Sequence, residues 1–360
     1  MTTDFAQEAD MDRILEINRL EYGPQDILST RKDFDWRYGQ NPSGKAIIPV
    51  IRDHMNRVIG FIWIVPLRIR VKGKDYLAAM GSNLVIHPDY RNAIGYTKLM
   101  RCFQSTITKN DIPIHYSFIS EDAYQRQIIQ NPQSVATIPV LAKLFDSKAL
   151  INSYVQGHYK KGILNLASLI AAPILFSAKR TSVGDSISIK NCDDFNCNFD
   201  AFWQNVRDDY PASVIRDRSF LSWRFAPISN RRYNIFAAVH QEKILAYIVL
   251  RCATLRGIRV GIISDFVVAR ARLSRDAGLI LLNKAESWFR EDNMSLSVAL
   301  VSSNSETYKM LRRAGYIRVP QFLSPKVFRF SVFIHMKNVK AMSSLSAREW
   351  FVTAADYESF

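Results

Sequence analysis

Short apolar runs separated by turn residues dominate the chain, and they form two series, one in each half. The runs are rich in Val and Ile and are joined by turns that carry Gly or Asn, which is typical of strands. The predicted strands are 47–52, 58–66, 67–72, 76–86, 112–119 and 135–144 in the first half, and 186–190, 234–239, 244–251, 258–268, 295–301 and 317–333 in the second. Apolar residues at helical spacing predict helices over 95–108, 121–130, 277–290 and 304–313. This order of elements predicts an α/β fold with mixed sheets flanked by helices.

The second half of the chain repeats the first at an offset of about 185 residues. The triplet Trp36-Arg37-Tyr38 corresponds to Trp223-Arg224-Phe225, and each triplet follows a Phe and precedes a Pro. Apolar strand segments then correspond in the same order, 58–63 with 244–249 and 82–86 with 264–268. Several matches in one order at a near-constant offset indicate a duplicated domain.

The duplication predicts an N-terminal domain, a connector, a C-terminal domain and a tail, over residues 1–147, 148–183, 184–335 and 336–360. The connector contains the longest apolar stretch, residues 162–178, which has basic residues on both sides and is interrupted by Pro173. A membrane span needs about 20 apolar residues, so this stretch is too short and is broken. We expect a helical connector packed between the domains. Peripheral membrane contact through residues 160–180 is the alternative.

Composition places the chain among ordinary globular proteins. Of its 360 residues, 48% are hydrophobic and 22% are charged, which excludes a disordered chain. Four cysteines are too few for a disulfide framework in a chain of this length. Cys192 and Cys197 have no second pair and no nearby histidine, so no metal site is predicted. The N-terminus is acidic and amphipathic, unlike a secretory signal, and we expect a cytoplasmic protein.

Positive charge is concentrated in the second half of the chain. The formal net charge is +15; residues 1–150 carry 19 basic and 16 acidic side chains, and residues 151–360 carry 29 and 17. An anionic partner and a solvated basic surface both explain this excess. The sequence contains no zinc finger, no aromatic RNA-binding motif and no basic-region helix, so nucleic acid is a disfavoured partner.

A recognisable pattern begins at the end of the strand predicted over 76–86. The sequence runs Val85-Ile86-His87-Pro88-Asp89-Tyr90-Arg91 and continues Asn92-Ala93-Ile94-Gly95-Tyr96 before a helix. This resembles the acyl-CoA loop of the GNAT (Gcn5-related) N-acetyltransferases, in which Val-x-Pro-x-x-Arg precedes a glycine-rich turn. In the second half, Asn304-Ser305-Glu306 with Gly315-Tyr316 resembles the closing motif of that family. The resemblance implies two GNAT-like domains in tandem and acetyl-CoA or another acyl-CoA as co-substrate.

The resemblance assigns the acyl donor to the first copy. The backbone at a helix N-terminus can cradle a pyrophosphate, and Arg91 can add charge-assisted hydrogen bonds. The expected donor-binding residues are Val85, Ile86, Arg91, Asn92, Ala93, Ile94, Gly95 and Tyr96. The two glycine positions of the family pattern hold Ile94 and Tyr96, with Gly95 between them. In the second copy only Gly278 matches a glycine, so the first copy is the better donor site.

The resemblance also implies a direct attack of an amine on the thioester. A base deprotonates the amine, and an acid, often a tyrosine, protonates the leaving thiolate. The usual tyrosine position holds Leu311 in the second copy and Gln127 in the first, so tyrosines one helical turn earlier are the substitutes. Two polar residues at equivalent strand positions are candidates for the base or for holding a water. The catalytic candidates are Asn83, Tyr124, Asp265 and Tyr308.

Repeated and basic residues supply the candidates for the acceptor side. These candidates are Trp36, Arg37, His115, Arg224, Arg251 and Arg259; in an alternative interpretation Trp36 and Trp223 only anchor the core. We expect an anionic acceptor at the domain interface, held by the basic second copy. The favoured function is transfer of an acetyl or short acyl group to the amine of an amino-sugar or amino-acid derivative. An acyl-carrier protein or aminoacyl-tRNA donor and a non-catalytic binding module remain alternatives, and the oligomeric state stays open.

Overall fold

The computed structural model describes residues 1–24, 26–120, 124, 134–146, 187–228, 231–255, 257–321, 324, 326–335 and 345–357. Its strands are β1 (Thr2–Phe5), β2 (Pro49–Arg52), β3 (Val58–Val71), β4 (Lys74–Ile86), β5 (Ile114–Ile119), β6 (Ser134–Ile138), β7 (Val140–Leu144), β8 (Ser188–Cys192), β9 (Ala212–Val214), β10 (Asn234–His240), β11 (Lys243–Leu255), β12 (Ile258–Val268), β13 (Leu296–Leu300), β14 (Ile317–Arg318), β15 (Phe328–Ile334) and β16 (Trp350–Phe351). Its α-helices are α1 (Met11–Tyr22), α2 (Arg31–Phe34), α3 (Ala93–Lys109), α4 (Cys197–Val206), α5 (Arg218–Arg224), α6 (Arg272–Glu291) and α7 (Glu306–Arg313), and a π-helical turn covers Asp35–Gly39. The predicted connector over 148–183, and all of the helix predicted over 121–130 except Tyr124, lie outside the described residues.

The first sheet has the strand order β1-β2-β3-β4-β5-β15-β6, and β9 with β16 extends it beside β3. Along that path the neighbours are antiparallel except β4 and β5, which run parallel. Helix α3 covers one face through an apolar cluster that includes Ile62, Ala79, Leu99 and Phe103. The opposite face belongs to a large core that also includes α1 and residues of the second sheet.

The second sheet repeats this arrangement. Its order is β14-β7-β13-β12-β11-β10-β8, and β12 and β13 are the parallel pair. Helix α6 packs on it through Leu281, Ala285 and Phe289, which are fully buried. Gly261 on β12 makes room for that helix, because a Cβ there would lie 2.4 Å from the Phe289 ring. The predicted α/β fold with two mixed sheets is confirmed.

The two copies exchange strands: β7 of the first copy joins the second sheet, and β15 and the short β9 of the second copy join the first. Only Pro139 separates β6 from β7, and a single residue cannot reverse the chain into a hairpin. Strand β7 therefore leaves the first sheet and enters the second beside β13 and β14, with Ala142 opposite Val298. In return, β15 enters the first sheet between β5 and β6. The predicted boundaries at residues 147 and 184 consequently do not separate the sheets, because each copy supplies a strand to the other.

The C-terminal residues that the structure describes belong to the core, whereas the sequence predicts a tail over 336–360. We call residues 345–357 the C-terminal strap. Its residues Trp350, Phe351 and Val352 are at most 2% exposed, and β16 pairs with β9. The Trp350 ring packs against Tyr116 and Phe330 of the first sheet. Burial of each such large apolar side chain contributes about 1.5–3 kcal/mol, so the strap helps to hold the two copies together.

Most predicted elements are present with shifted ends. Helix α3 covers the predicted 95–108, and α6 begins at Arg272, five residues before the predicted start. Strand β3 is continuous where two strands are predicted over 58–66 and 67–72. The strand predicted over 317–333 is two strands that join different sheets, β14 and β15. Apolar periodicity indicates that a segment is extended, but the partner strand decides where it ends.

Candidate functional site

The parallel strands β4 and β5 diverge soon after they meet, and we call this opening the first fork. Ala79 lies opposite His115 and Met80 lies opposite Tyr116, and these are the residues in parallel register. Beyond Met80, β4 continues to Ile86, and no described β5 residue is paired with it there, although Ser117 still lies beside Gly81. The backbone N–H and C=O groups on this edge of β4 can therefore pair with an extended ligand as if with an added strand.

A bulge in β4 accompanies the divergence. The pairing of β4 with β3 slips between Phe61 and Trp63, because Asn83 and Leu84 together span the place of one residue. Asn83 has a φ of +48°, in the left-handed region that asparagine adopts more readily than most residues. Bulges bend a strand and are common beside active sites, so this one directs β4 away from β5.

Three polar atoms at the bulge are buried and have no hydrogen-bond partner among the described residues: Trp63 Nε1, Ser82 Oγ and Asn83 Oδ1. The amide nitrogen of Asn83 donates to Oδ1 of Asn18 on α1 at 3.3 Å. Buried polar atoms nearly always have a partner, which is the protein, water or a ligand. The bulge thus offers hydrogen-bonding groups where the two strands separate.

The segment after β4 leads into the N-terminus of α3. Asn92 caps the helix, and its Oδ1 accepts the Gly95 N–H at 2.7 Å. Arg91 Nε donates to the Ile86 carbonyl oxygen at 3.0 Å, and the same guanidinium pairs with the Glu21 carboxylate. The first N–H groups of a helix have no partner within it and carry partial positive charge. One arginine and a helix N-terminus therefore lie together at the end of the fork, a combination suited to an anion.

A small pocket adjoins the base of the first fork, and we call it the interface pocket. Met80 and Tyr116, the last pair in parallel register, line it from the first sheet. The other lining residues come mainly from the two Trp-Arg segments and the strap: Trp36, Arg37, Leu67, Phe220, Trp223, Arg224, Ala355, Asp356 and Tyr357. Its volume is about 20 Å³, enough for one group of the size of a water molecule or an amine.

The two repeated tryptophans meet at this pocket. Their rings stack with centroids 5.6 Å apart. Trp36 Nε1 donates to the backbone oxygen of Trp223 at 2.6 Å, and Trp223 Nε1 donates to the backbone oxygen of Trp36 at 3.0 Å. The contact is the same when the two copies are interchanged. The repeated triplet therefore joins the copies, and it also lines the pocket between them.

The equivalent fork of the second sheet, between β12 and β13, is filled by the strap. Past the end of β13, Val301 bridges to Thr353, and the Ser302 N–H donates to the Val352 carbonyl oxygen at 2.9 Å. The Val352 N–H donates in return to Ser302 Oγ at 3.1 Å. The strap thus occupies the place that an added strand would take in the second copy.

A buried ionic network holds the strap at the bulge of β12. Arg216 contacts Asp265 at 3.2 Å and Asp356 at 2.6 Å. Asp265 also accepts hydrogen bonds from the hydroxyls of Tyr247 and Thr353, both at 2.7 Å. Burial opposes the charge of Arg216, but the two carboxylates outweigh it and raise its pKa. Burial, together with the Asp265 charge, raises the pKa of Asp356 despite Arg216.

No model of a protein family matches the sequence, and no curated protein matches it. Solved structures do match. A GCN5-related N-acetyltransferase from Anabaena variabilis has a TM-score of 0.59 and 13% identity, over 92% of this chain and 73% of that protein. Saccharomyces cerevisiae N-myristoyltransferase with bound myristoyl-CoA has a TM-score of 0.60 and 12% identity, over 93% and 80%. A tandem GNAT protein from the clavulanic acid biosynthesis pathway has a TM-score of 0.56 and 15% identity, over 92% and 98%. The chain has the tandem GNAT fold.

Within this tandem GNAT fold, the predicted donor residues follow one another along the chain, from the end of β4 to the first turn of α3. Val85 and Ile86 are buried side chains on the free edge of β4. The other predicted donor residues, Arg91, Asn92, Ala93, Ile94, Gly95 and Tyr96, follow at the start of the helix. The structure thus brings these residues together, and their role in binding a donor stays a prediction.

The predicted catalytic residues are dispersed across the tandem GNAT fold. Asn83 lies at the bulge of the first fork. Asp265, at the equivalent position, is fully buried with both oxygens engaged, which is the arrangement of a structural residue. Tyr308 lies on α7 of the second copy, whose fork is filled. Tyr124 packs its ring against the guanidinium of Arg329, 4.6 Å away.

His115, predicted to face the cleft, faces away from the interface pocket. Its ring packs against Phe103 of α3 and stacks on Phe333 at 4.3 Å, and its Nδ1 lies 2.7 Å from Nε2 of His335. Side chains alternate between the faces of a strand, so its neighbour Tyr116 lines the pocket instead. Burial, with the neighbouring His335, lowers the pKa of His115 well below its usual value.

The predicted acceptor arginines separate into two places. Arg224 lines the pocket and donates to the carbonyl oxygens of Ala355 at 2.7 Å and Tyr357 at 2.9 Å. Burial, together with the charge of Arg224, lowers the pKa of Arg251. Arg259 lies at the far end of β12 from the bulge, where its half-exposed side chain contacts Asp292 at 3.6 Å. The structure does not bring Arg259 to the pocket.

Sequence reasoning missed Asp356 and Arg216. The strap has no counterpart in the repeat, so nothing in the sequence marked Asp356, and no local signal showed that Arg216 is buried.

In the parts of the chain that the structure describes, no group of side chains could hold a metal ion. Among those same residues, no helix has the length and apolar character to cross a membrane. The apolar stretch 162–178 lies outside them.

Proposed function

We propose that the protein transfers an acyl group from acyl-CoA to the amine of a small metabolite, with the donor in the first copy. One observation carries the proposal. Among the described residues no strand pairs with the edge of β4 beyond Met80, whereas the equivalent fork of the second copy is occupied by the strap. An acyl-CoA of the kind that the GNAT resemblance implies would lay its pantetheine arm along the open edge.

The pyrophosphate of the donor is proposed to lie at the start of α3. The helix N-terminus supplies backbone N–H groups, and Arg91, whose side chain is 51% exposed, supplies a guanidinium. Ile94 points to solvent and Tyr96 packs against the cluster under α3, so both replacements of glycine have space beside the turn. Glu21 already pairs with Arg91, so a phosphate must displace that carboxylate.

The acceptor amine is proposed to reach the thioester from the interface pocket. Attack on the carbonyl carbon forms a C–N bond and breaks the C–S bond, and the CoA thiolate then takes up a proton. The ammonium form of the amine must first lose a proton, for which Asp356 is the carboxylate that lines the pocket. Its Oδ1 is buried with no hydrogen-bond partner among the described residues. Its raised pKa brings it nearer to that of a useful base.

Asn83 and Tyr124 are proposed to take part in the acyl transfer as catalytic residues. A carboxamide is too weak a base for an ammonium, so Asn83 at the bulge would hold a water or the thioester oxygen by hydrogen bonds. Tyr124 would return a proton to the thiolate. The acyl chain is proposed to be acetyl or short and to lie in the fork, while the interface pocket has room for the amine.

Calorimetric titration with CoA tests the proposal, with Arg91→Ala as the variant. Loss of one charge-assisted contact should weaken binding by about 1.5–3 kcal/mol, which is about 10-fold to 150-fold. Arg101→Ala is the matched control, because Arg101 is exposed on the same helix and should leave the affinity unchanged. Equal affinities for both variants would overturn the donor site. Binding of an acyl-carrier protein without binding of CoA would favour the alternative donor.

A further inference from the structure

Ser82 is the first residue of β4 beyond the point where β5 still lies beside it. Met80 is the last β4 residue in register with β5, and Ser117 of β5 lies beside Gly81. Ser82 is partly exposed as a residue, but its Oγ is buried and has no hydrogen-bond partner among the described residues. A buried hydroxyl without a partner has given up its hydrogen bonds to water, which costs free energy. A ligand group in the first fork can recover that free energy.

The Ser82 side chain lies on the face of the first sheet that meets the interface pocket. Side chains alternate along a strand, so Ser82 projects to the same side as Met80, which lines that pocket. Ser82 is also directly opposite Trp63 on β3, and residues in register share a face. Trp63 belongs to the large core, whereas α3 covers the other face. The hydroxyl therefore belongs to the first fork and to the pocket side of the sheet.

Of the three unpartnered atoms at the bulge, the Ser82 hydroxyl is the one best suited to donate to a ligand. Asn83 Oδ1 can only accept a hydrogen bond. Trp63 Nε1 can donate, but its ring is fully buried and packs against Phe34 and Tyr38. The Ser82 hydroxyl can donate, and rotation about one side-chain torsion turns it among three staggered positions. Ser82 can therefore offer a hydrogen bond to an oxygen atom in the fork.

We propose that the Ser82 hydroxyl donates a hydrogen bond to the carbonyl oxygen of the donor thioester and is a catalytic residue. This rests on the proposed function, because it takes the first fork as the place of the pantetheine arm. When the amine nitrogen bonds to the carbonyl carbon, the π electron pair moves to the oxygen, and the Ser82 O–H stabilises that charge. The pair returns as the C–S bond breaks and its electrons leave with the sulfur, so Ser82 keeps its proton. Asn83 Oδ1 then remains for a water.

The second copy supplies a matched serine for the control. Ser264 corresponds to Ser82 in the repeat and lies at the bulge of β12. Its Oγ is also buried with no hydrogen-bond partner among the described residues. The strap fills the fork on that side. Ser264→Ala therefore removes the same group from the equivalent strand, at a fork that the donor does not enter.

Infrared difference spectra of acetyl-CoA, isotopically labelled at the acetyl carbonyl carbon, test the hydrogen bond in the full-length chain. We expect the carbonyl band to move to lower frequency on binding, because a hydrogen bond weakens the C=O bond. Ser82→Ala should lose most of that shift, and Ser264→Ala should keep it. Calorimetry gives a second readout: Ser82→Ala should weaken the binding of acetyl-CoA by about twofold to tenfold and leave that of CoA, which lacks the acetyl carbonyl, unchanged.

Ser82→Ala should unfold at the temperature of the wild-type chain or above it, because the hydroxyl that it removes has no partner among the described residues. Ser82→Cys, which keeps the size and offers only a weak S–H donor, takes its place if Ser82→Ala does not fold. A band shift that survives the substitution, or the same loss in Ser264→Ala, would overturn the role of Ser82 alone. Binding of neither CoA nor acetyl-CoA to the wild-type chain would overturn the donor site itself, and this role with it.

Discussion

The two forks of this protein have the same strand architecture and opposite contents. In each sheet a bulged strand diverges from its parallel neighbour, at β4 and β5 in the first and at β12 and β13 in the second. In the part of the chain that the structure describes, no strand pairs with the end of β4 in the first fork, and the second is closed by the C-terminal strap through hydrogen bonds at Ser302 and Val352. A duplicated fold can therefore use the same strand arrangement in two ways, and in the second copy it forms a joint.

Residues at equivalent positions of the two forks differ in type and in their hydrogen bonding. Asn83 and Asp265 occupy the two bulges, and the Asn83 oxygen has no partner among the described residues while the Asp265 carboxylate is fully engaged. One strand away, His115 lies opposite Ala79, and Ser297 lies opposite Gly261. A charged network suits a closed joint, and an unpartnered amide suits an open cleft.

The largest expected effect comes from breaking the joint. Arg216→Ala leaves Asp265 and Asp356 buried without their shared cation, and we expect the free energy of unfolding to fall by about 3–5 kcal/mol. Asn83→Gly, which keeps the left-handed backbone of the open fork and removes one hydrogen bond, should cost only about 1 kcal/mol. Urea denaturation measures both. Equal losses would remove the distinction between joint and cleft.

The number of CoA molecules bound per chain tests whether the two forks differ in ligand binding. We expect one CoA per chain, because the strap fills the second fork. Arg272→Ala, at the first residue of α6 in the second copy, should leave CoA affinity unchanged, whereas Arg91→Ala should reduce it by about tenfold or more. Calorimetry gives both the stoichiometry and the affinity. Two sites per chain would contradict the closure of the second fork.

The pH dependence of stability should reflect the first sheet. Burial lowers the pKa of His115 and of His335, so below about pH 6.5 the unfolded chain binds more protons than the folded one. Stability should then fall as the pH drops, by at most about 1.4 kcal/mol per pH unit for each histidine. His335→Gln should remove about half of the loss between pH 7 and 5.5 measured by thermal unfolding. Ser297→Ala, at the place in the second sheet that is equivalent to His115, should leave the loss of stability between pH 7 and 5.5 unchanged.

The smallest expected effect concerns the carboxylate that competes for Arg91. Glu21→Gln releases the guanidinium, and we expect CoA to bind about twofold to fivefold more tightly, since exposed ion pairs are worth little. Glu16→Gln, on the same helix and paired with Arg13, is the control and should have no effect. Weaker binding by Glu21→Gln would mean that Glu21 orients Arg91 for the donor.

Local patterns in the sequence were sufficient for much of the fold and for one part of the site. Apolar periodicity marked strands such as β12, whose ends Ile258 and Val268 are those observed. The resemblance of the loop from Arg91 to Tyr96 to an acyl-CoA loop was recognisable because such a turn is built from consecutive residues, and its role stays a prediction. Whether His115 or Tyr116 lines the interface pocket could not be predicted, because strand alternation gives two faces without saying which one meets the pocket; Tyr116 lines it.

The sequence by itself determined that this chain is a duplicated α/β protein whose first copy carries a loop that resembles an acyl-CoA loop, because repeats, periodicity and turns are encoded in neighbouring residues. The tertiary structure decided the rest. It exchanged β7 and β15 between the sheets and placed the strap in the second fork. It also brought Arg37 and Arg224 to one pocket, beside the contact of Trp36 with Trp223, which are 187 positions apart in the sequence. These outcomes depend on which edges and charges meet after the chain has folded, and no local pattern carries that information.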